Sequence, residues 1–104
     1  VPDVPAVNIP AALVEAFDAG RAPSEFVCPL TLQLFHQPVV AADGHTYEAA
    51  AIREWFQTSQ RSPVCGTELR NRSLVVNYAV RSLMEEWTPH PLLNNRLIRL
   101  LNIA

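Results

Sequence analysis

The sequence predicts one small domain of the α+β class, in which short strands and short helices are joined by irregular loops. Three observations lead to this prediction. The chain has 104 residues, of which 49% are hydrophobic, and this is enough for a single core. Nine prolines divide it into short elements. Asp43-Gly44 is a strong hairpin signal, and apolar residues follow it at helical spacing.

The N-terminal part of the chain predicts a tail followed by a short helix. Residues 1–9 contain two prolines and show no periodicity. Pro10 suits the first turn of a helix, and Gly20 is a stop signal. Between them, apolar residues stand at helical spacing at Leu13, Val14 and Phe17. Residues 23–34 have no sustained period and predict an irregular loop.

The middle of the chain predicts a hairpin followed by a central helix. The strands are expected over residues 38–42 and 45–47, and the helix over residues 48–58. Thr46 stands where its hydroxyl can cap this helix. The apolar stripe of the helix is formed by Ala49, Ile52 and Phe56. Trp55 lies about 60° from the centre of that stripe, which predicts a position at the edge of the core.

The C-terminal part predicts a second loop, a closing strand and two further helices. The loop covers residues 60–67, and the strand includes Leu69 and residues 74–76. Asn77 is a good N-cap for a helix whose inner face is formed by Ala79, Val80, Leu83 and Trp87. Pro89 and Pro91 end that helix. A third helical pattern follows over residues 92–103, with one side formed by Leu93, Leu97, Leu100 and Leu101.

Composition and charge exclude several classes of function. A net charge of −2 gives no reason to expect binding of nucleic acid, which normally requires a clustered basic face. No apolar run approaches the ~20 residues that span a bilayer, so no membrane contact is expected. Two cysteines are too few for a disulfide scaffold, which predicts reduced thiols and a cytoplasmic or nuclear location. Because the chain starts at Val1 and its one methionine is Met84, it is expected to be part of a longer protein.

Six short motifs occur in order along residues 26–87. They are Phe26-Val27-Cys28-Pro29-Leu30, Gln37-Pro38-Val39-Val40, Asp43-Gly44-His45-Thr46-Tyr47-Glu48, Ile52-Arg53-Glu54-Trp55, Ser62-Pro63-Val64-Cys65, and Asn77 with Val80, Leu83 and Trp87. In this order and spacing they resemble the U-box family of ubiquitin ligases. A RING finger with two zinc ions needs about eight Cys or His ligands. The chain has two Cys and three His, so a RING proper is excluded.

The resemblance implies a zinc-free, RING-like fold and a ligase activity. The expected fold has two stabilised loops, a small antiparallel sheet, a central helix and a C-terminal helix, with further helices at both ends. The implied domains are a tail and short helix over residues 1–22, a U-box over residues 23–88 and a helix over residues 89–104. The implied activity is that of a scaffold without cofactor or covalent intermediate. It binds a ubiquitin-charged conjugating enzyme and promotes transfer of ubiquitin to a lysine of an unidentified protein substrate.

The resemblance also assigns roles to individual residues. The residues that would contact the conjugating enzyme are Leu30, Trp55 and Pro63, with Val64 and Phe26 at the border. The residues that would form a structural brace are Asp43, Thr46, Tyr47 and Glu48, together with Cys28 and Cys65. The two cysteines are expected to be small buried thiols that support the loops. A zinc site with His36 or His45 lacks four ligands at the proper spacing.

One position departs from the pattern of active ligases. Many of them carry a basic or polar side chain three residues after the loop proline, where it bridges ubiquitin and the conjugating enzyme. This chain has Gly66 there, so Arg61 or Arg70 is the alternative donor. The rival interpretations are a non-catalytic interaction module and an oligomerisation module that forms a homodimer through the leucines of residues 92–103. If the source is a bacterium that secretes effectors, the expected location is the host cytoplasm.

Overall fold

The computed structural model describes residues 4–89, and over this range it contains three helices and a three-stranded antiparallel sheet. The elements in chain order are α1 (Ala11–Asp18), a 3-10 turn (Ser24–Phe26), β1 (Pro38–Val40), β2 (Thr46–Glu48), α2 (Ala49–Trp55), β3 (Val75–Val76) and α3 (Tyr78–Glu85). The predicted α+β class is therefore confirmed. Within the described range, no helix has both the length and the apolar content needed to cross a bilayer.

The sheet has β1 at its centre, with β2 and β3 on either side. Val39 of β1 is opposite Tyr47 of β2 and Val76 of β3. The predicted hairpin is present, and it turns through Gly44, whose φ is +81°. The N–H of Gly44 donates to the carbonyl of Ala41 at 2.9 Å. Glycine suits this turn because it adopts positive φ without strain.

The core lies between the sheet, α2 and α3, and the central helix faces it as predicted. Ala49 and Ile52 are completely buried, and Phe56 is buried just after the end of α2. Trp55 is half-buried and packs against the core, so its predicted position at the edge is confirmed. The stripe thus directs α2 into the core and leaves one side of Trp55 accessible.

The helix α3 is capped as predicted, and its inner face agrees with the prediction in part. The side chain of Asn77 accepts a hydrogen bond from the N–H of Val80 at 3.0 Å. Val80 and Trp87 pack against the core as predicted and Met84 is completely buried, whereas Ala79 and Leu83 are exposed. Residues four apart lie on one side of a helix, so a stripe through Val80 and Met84 turns its neighbours outward.

The predicted N-terminal tail is wrong for residues 4–9, which pack against the domain. Val4 and Val7 are buried in the core. The N–H of Val7 donates to the carbonyl of His36 at 2.7 Å, and the side-chain amide of Gln37 donates to the carbonyl of Val4 at 2.8 Å. Residues 4–9 show neither helical nor strand periodicity because their contacts are with distant parts of the chain.

The predicted first helix is present as α1 and ends as expected. Leu13 is completely buried, whereas its neighbour Val14 is 41% exposed. Gly20 has a φ of +75°, and its N–H donates to the carbonyl of Phe17 at 3.0 Å. Glycine just beyond the last turn is a common way to end a helix. The third helical pattern, residues 92–103, lies outside the described residues.

Candidate functional site

Two irregular loops lie next to α2, and backbone hydrogen bonds close each of them. Loop 1 comprises residues 27–37, and loop 2 comprises residues 59–69. In loop 1 the N–H of Cys28 donates to the carbonyl of Gln33 at 2.9 Å. In loop 2 the N–H of Ser62 donates to the carbonyl of Thr67 at 2.8 Å. Both loops are therefore defined by short-range contacts without regular secondary structure.

Cys28 and Glu48 hold loop 1 against the sheet. The buried sulfur of Cys28 accepts hydrogen bonds from the N–H of Leu30 at 3.3 Å and the N–H of Glu48 at 3.2 Å. The carboxylate of Glu48 accepts from the N–H groups of His36 at 2.7 Å and Gln37 at 3.0 Å. One side chain at the end of β2 thus fixes the end of loop 1 through both of its oxygens.

Asp43 connects the hairpin to loop 2. One carboxylate oxygen accepts from the hydroxyl of Tyr47 at 2.6 Å and from the hydroxyl of Ser62 at 2.7 Å. The other oxygen accepts from the N–H of His45 at 2.9 Å. The hydroxyl of Ser62 in turn accepts from the N–H groups of Val64 and Cys65. A single carboxylate therefore organises the turn of the hairpin and the beginning of loop 2.

This network shifts the pKa of Asp43 and the pKa of Tyr47. Partial burial by itself raises the pKa of Asp43, but the hydrogen bonds from Tyr47, Ser62 and His45 outweigh it and lower the pKa below its usual value. Burial and the hydrogen bond to Asp43 raise the pKa of Tyr47 well above its usual value. At neutral pH the network consists of a carboxylate and a neutral phenol.

Two of the predicted brace residues are placed differently from the prediction. Thr46 does not cap α2, since its hydroxyl accepts a hydrogen bond from the side-chain amide of Asn77 at 2.8 Å. It links β2 to the start of α3 instead. Cys65 is exposed and not a buried thiol. Hydrogen bonds from Ser62 and Thr67 lower the pKa of Cys65. The glycine that follows it turns this part of loop 2 toward solvent.

A surface depression separates loop 1 from α2, and it contains two of the predicted contact residues. This depression, the α2 groove, is lined by Leu30, Thr31, Ala51, Glu54, Trp55, Gln57 and Thr58. Leu30 and Trp55 are both half-buried. The indole N–H of Trp55 donates to the carbonyl of Arg61 at 2.7 Å, which ties α2 to loop 2. The groove therefore presents two large apolar side chains, Leu30 and Trp55, among polar ones on a hydrogen-bonded frame.

The other three predicted contact residues lie outside the lining of this groove. Pro63 is half-buried and Val64 is exposed, and both belong to the neighbouring loop 2. Phe26 is buried in the core, so the prediction that it borders the contact surface is wrong. It stands in the 3-10 turn just before loop 1, and its carbonyl accepts from the N–H of Phe35, which directs this turn inward.

Arg61 and Gly66 lie next to each other in loop 2. The guanidinium of Arg61 donates from Nη1 to the carbonyl of Gly66 at 3.1 Å. Gly66 has a φ of +75°, a conformation that side chains disfavour. Arg61 and Arg70 are both exposed. A basic group thus stands beside the position where this chain has no side chain.

Ser62 is a structural residue of this site to which the sequence analysis assigned no role. It is buried although it is polar, and its hydroxyl joins Asp43 to two N–H groups of loop 2. A serine hydroxyl often bonds to backbone two or three residues ahead, so Ser62 before Pro63 carried a local signal. The hydrogen bond to Asp43, which is 19 residues away, had no such local signal.

Within residues 4–89, no three His, Cys, Asp or Glu side chains are grouped so that they can hold a metal ion. Cys28 is occupied by two N–H groups, and Cys65 faces solvent. The two loops are held by hydrogen bonds in which the carboxylate of Glu48 accepts from the N–H groups of His36 and Gln37 and the carboxylate of Asp43 accepts from the hydroxyl of Ser62. These hydrogen bonds connect both loops to the hairpin and to the end of β2.

Comparison with known proteins agrees with this arrangement. A family model described as U-box domain matches residues 22–90. The chain is 44% identical over 83 residues to U-box domain-containing protein 33 of Arabidopsis thaliana, covering 74% of this chain and 10% of that protein. U-box domain-containing protein 37 of the same plant is 46% identical over 68 residues, which cover 64% of this chain and 17% of the relative. U-box domain-containing protein 70 of Oryza sativa subsp. japonica is 39% identical over 83 residues, which cover 79% of this chain and 10% of that protein. The chain thus spans less than a fifth of the length of these relatives.

Proposed function

We propose that this chain, which belongs to the U-box family, is a ubiquitin-protein ligase that docks a ubiquitin-charged conjugating enzyme and promotes transfer of ubiquitin to a substrate lysine. Membership of this family implies a role of the ubiquitin-ligase type. The observation that carries the finer proposal is the α2 groove, in which Leu30 and Trp55 stand on a frame held by hydrogen bonds.

The groove suits a protein partner because its apolar anchors are accessible yet fixed. Leu30 is held by the bond from its N–H to the sulfur of Cys28, and Trp55 by its bond to Arg61. Ordering such side chains in advance lowers the entropic cost of association. Partly exposed apolar and aromatic residues of this kind are typical of the few residues that dominate binding energy at interfaces.

The proposed activity needs no covalent chemistry on this chain. The ε-amine of a lysine attacks the carbonyl of the thioester, an amide bond forms, and the thiolate of the conjugating enzyme leaves. A scaffold accelerates this step by fixing the geometry of the charged enzyme. The groove would hold the enzyme, and loop 2 would face the thioester-linked ubiquitin.

Leu30→Ala tests the docking surface. The substitution should slow discharge of ubiquitin from a charged conjugating enzyme onto free lysine about 30-fold, since an interface anchor contributes on the order of 2 kcal/mol. Because Leu30 is half-buried, the loss of folding stability should stay below the 2–5 kcal/mol typical of a fully buried leucine, at less than about 2 kcal/mol. Discharge is measured by gel electrophoresis and stability by thermal melting.

Leu83→Ala is the matched control for this experiment. Leu83 is exposed on α3 and is absent from the lining of the groove, so its removal should leave discharge unchanged. Equal discharge by the Leu30 variant and the unsubstituted chain would contradict the docking assignment. A large loss of melting temperature for Leu30→Ala would show instead that Leu30 serves mainly the core.

The bond between Arg61 and Gly66 supports a role for Arg61 as the donor that bridges ubiquitin and the conjugating enzyme. A guanidinium carries five N–H donors, and the contact with Gly66 uses one of them. Arg61→Ala should slow discharge about tenfold, the loss expected for one hydrogen bond of about 1.4 kcal/mol. Affinity for the uncharged conjugating enzyme, measured by calorimetry, should change less than about twofold.

Arg70→Ala is the control, because Arg70 is also exposed but follows the buried Leu69 at the end of loop 2. An equal loss for both variants would indicate a general effect of charge and contradict the specific role of Arg61. Gly66→Arg is a less direct test of the bridging donor than Arg61→Ala. At a φ of +75° any side chain strains the backbone, so a slow variant would not separate chemistry from folding.

The alternative is a non-catalytic interaction module with the same fold, and Gly66 is the observation that favours it. Its lack of a side chain removes a donor that many active ligases use. The discharge assay separates the two functions, because a module that only binds would hold the charged enzyme without accelerating loss of ubiquitin. The homodimer predicted from the leucines of residues 92–103 stays a prediction.

A further inference from the structure

Residues 4–9, which we call the N-terminal strap, contact the end of loop 1. The N–H of Val7 donates to the carbonyl of His36 at 2.7 Å, and the side-chain amide of Gln37 donates to the carbonyl of Val4 at 2.8 Å. Val4 and Val7 place their side chains in the core. The strap therefore holds the part of loop 1 that leads directly into β1.

Two charged side chains of α3 hold the strap as well. The guanidinium of Arg81 donates from Nε to the carbonyl of Ala6 at 3.3 Å. The carboxylate of Glu85 accepts from the N–H of Asn8 at 2.9 Å. Arg81 and Glu85 also form an ion pair at 3.7 Å, because residues four apart are neighbours on the surface of a helix. Since Ala6 and Asn8 flank Val7, three consecutive residues connect α3 to loop 1.

The end of loop 1 is therefore held by two separate parts of the chain. The N–H groups of His36 and Gln37 donate to the carboxylate of Glu48, and the carbonyl of His36 accepts from Val7. Glu48 belongs to β2, whereas Val7 precedes the residues 22–90 that match the family model. The second of these two connections thus comes from outside the range that this chain shares with the family.

We propose that the N-terminal strap positions loop 1 for binding of the charged conjugating enzyme, and that Glu85 is the residue that anchors the strap to α3. The inference rests on the proposed function, because Leu30 of loop 1 is the proposed docking anchor. A loop that is already held loses less conformational freedom when a partner binds, so the strap lowers the entropic cost of docking. Because the strap acts through loop 1, the KM for the charged enzyme should depend on it and kcat should not.

Val7→Asp detaches the strap, because aspartate at this buried position would leave a charge in the core. The KM for the charged conjugating enzyme in the discharge assay should rise about tenfold, while kcat should change less than about twofold. Val14→Asp is the control, since it makes the same chemical change at a position of α1 that is 41% exposed, and it should leave KM unchanged. An equal rise in KM for both variants would overturn the inference.

Glu85→Ala and Glu85→Gln provide a second test that leaves the core intact and decides the question if Val7→Asp does not fold. Alanine removes the acceptor of the N–H of Asn8, whereas glutamine keeps an oxygen that can accept it. The KM should rise about threefold for Glu85→Ala and should return to within about 1.5-fold of the original value for Glu85→Gln. An unchanged KM for Glu85→Ala would overturn the inference.

Hydrogen exchange followed by mass spectrometry measures the position of loop 1 without the discharge assay. Val7→Asp should speed exchange in loop 1 about fivefold or more and leave exchange in loop 2 unchanged, because loop 2 is closed by its own hydrogen bonds. Equal acceleration in both loops would indicate general destabilisation and overturn the inference. Unchanged KM and exchange for Val7→Asp, combined with slower discharge by Leu30→Ala, would overturn the inference and leave the proposed function standing. Absence of discharge by the unsubstituted chain would overturn the proposed function and, with it, the docking role of the strap.

Discussion

Replacing Asp43 with alanine should lower the free energy of unfolding by about 3 kcal/mol at pH 7. The carboxylate accepts hydrogen bonds from the hydroxyls of Tyr47 and Ser62 and from the N–H of His45. Hydrogen bonds to a charged group contribute about 1.5–3 kcal/mol each, and partial exposure of Asp43 reduces their sum. The substitution also leaves the buried hydroxyls of Tyr47 and Ser62 without their acceptor. Urea denaturation followed by circular dichroism measures the loss.

The same network should make the free energy of unfolding depend on pH in the acid range. The pKa of Asp43 is lower in the folded chain than its usual value. Its contribution is therefore complete above the unfolded pKa, about 4, and is lost as the pH falls through the folded pKa. The unsubstituted chain should lose stability more steeply than Asp43→Ala below about pH 4. If the free energy of unfolding falls with pH in the same way for both proteins, other carboxylates control the acid transition.

Tyr47→Phe is a matched control, because it removes one hydrogen bond to Asp43 and keeps the buried ring. Tyr47→Phe should lower the free energy of unfolding by about 1–2 kcal/mol, which is less than the loss for Asp43→Ala, because the carboxylate keeps its two other donors. A loss for Asp43→Ala below that for Tyr47→Phe would contradict the central position of the carboxylate. Because the two side chains share one hydrogen bond, combining Asp43→Ala with Tyr47→Phe should lower the free energy of unfolding by less than the sum of the two single losses.

The regular elements were the part of the fold that local pattern could predict. The hairpin at Asp43-Gly44, the stripe of α2 and the cap at Asn77 depend on residues a few positions apart. Such patterns reflect the geometry of one element. Two of the four residues assigned to the inner face of α3, Ala79 and Leu83, are exposed, although they are apolar like Val80 and Trp87, which do pack against the core. Only the packed core shows that Met84 is the residue directed inward.

The connections between elements could not be predicted from local pattern. Ser62 binds Asp43 across 19 residues, and Thr46 binds Asn77 across 31. No periodicity records a contact of that range. Family resemblance supplied Leu30 and Trp55, which line the same groove, but it also supplied Phe26, which the core buries. The resemblance indicated which residues stand near the loops without separating those that face outward from those that face inward.

Leu13→Ala should lower the free energy of unfolding by about 3 kcal/mol, although Leu13 precedes the part of the chain that matches the family model. Leu13 is completely buried and belongs to the same core as Ile52 and Met84. Truncating a buried leucine removes its apolar area from the core and leaves a cavity, at a cost of 2–5 kcal/mol. Denaturation by urea measures the loss. A loss of this size would mean that α1 is an integral part of the domain, and that residues 1–22 do not form a separable tail and helix.

Val14→Ala provides the comparison, because it is the next residue on the same helix and is 41% exposed. It should cost less than about 1 kcal/mol, since it removes less buried surface and leaves no enclosed cavity. Equal losses for the two variants would indicate that the burial of Leu13 does not contribute specifically to stability. A loss confined to Leu13→Ala would show that α1 is anchored by its buried side.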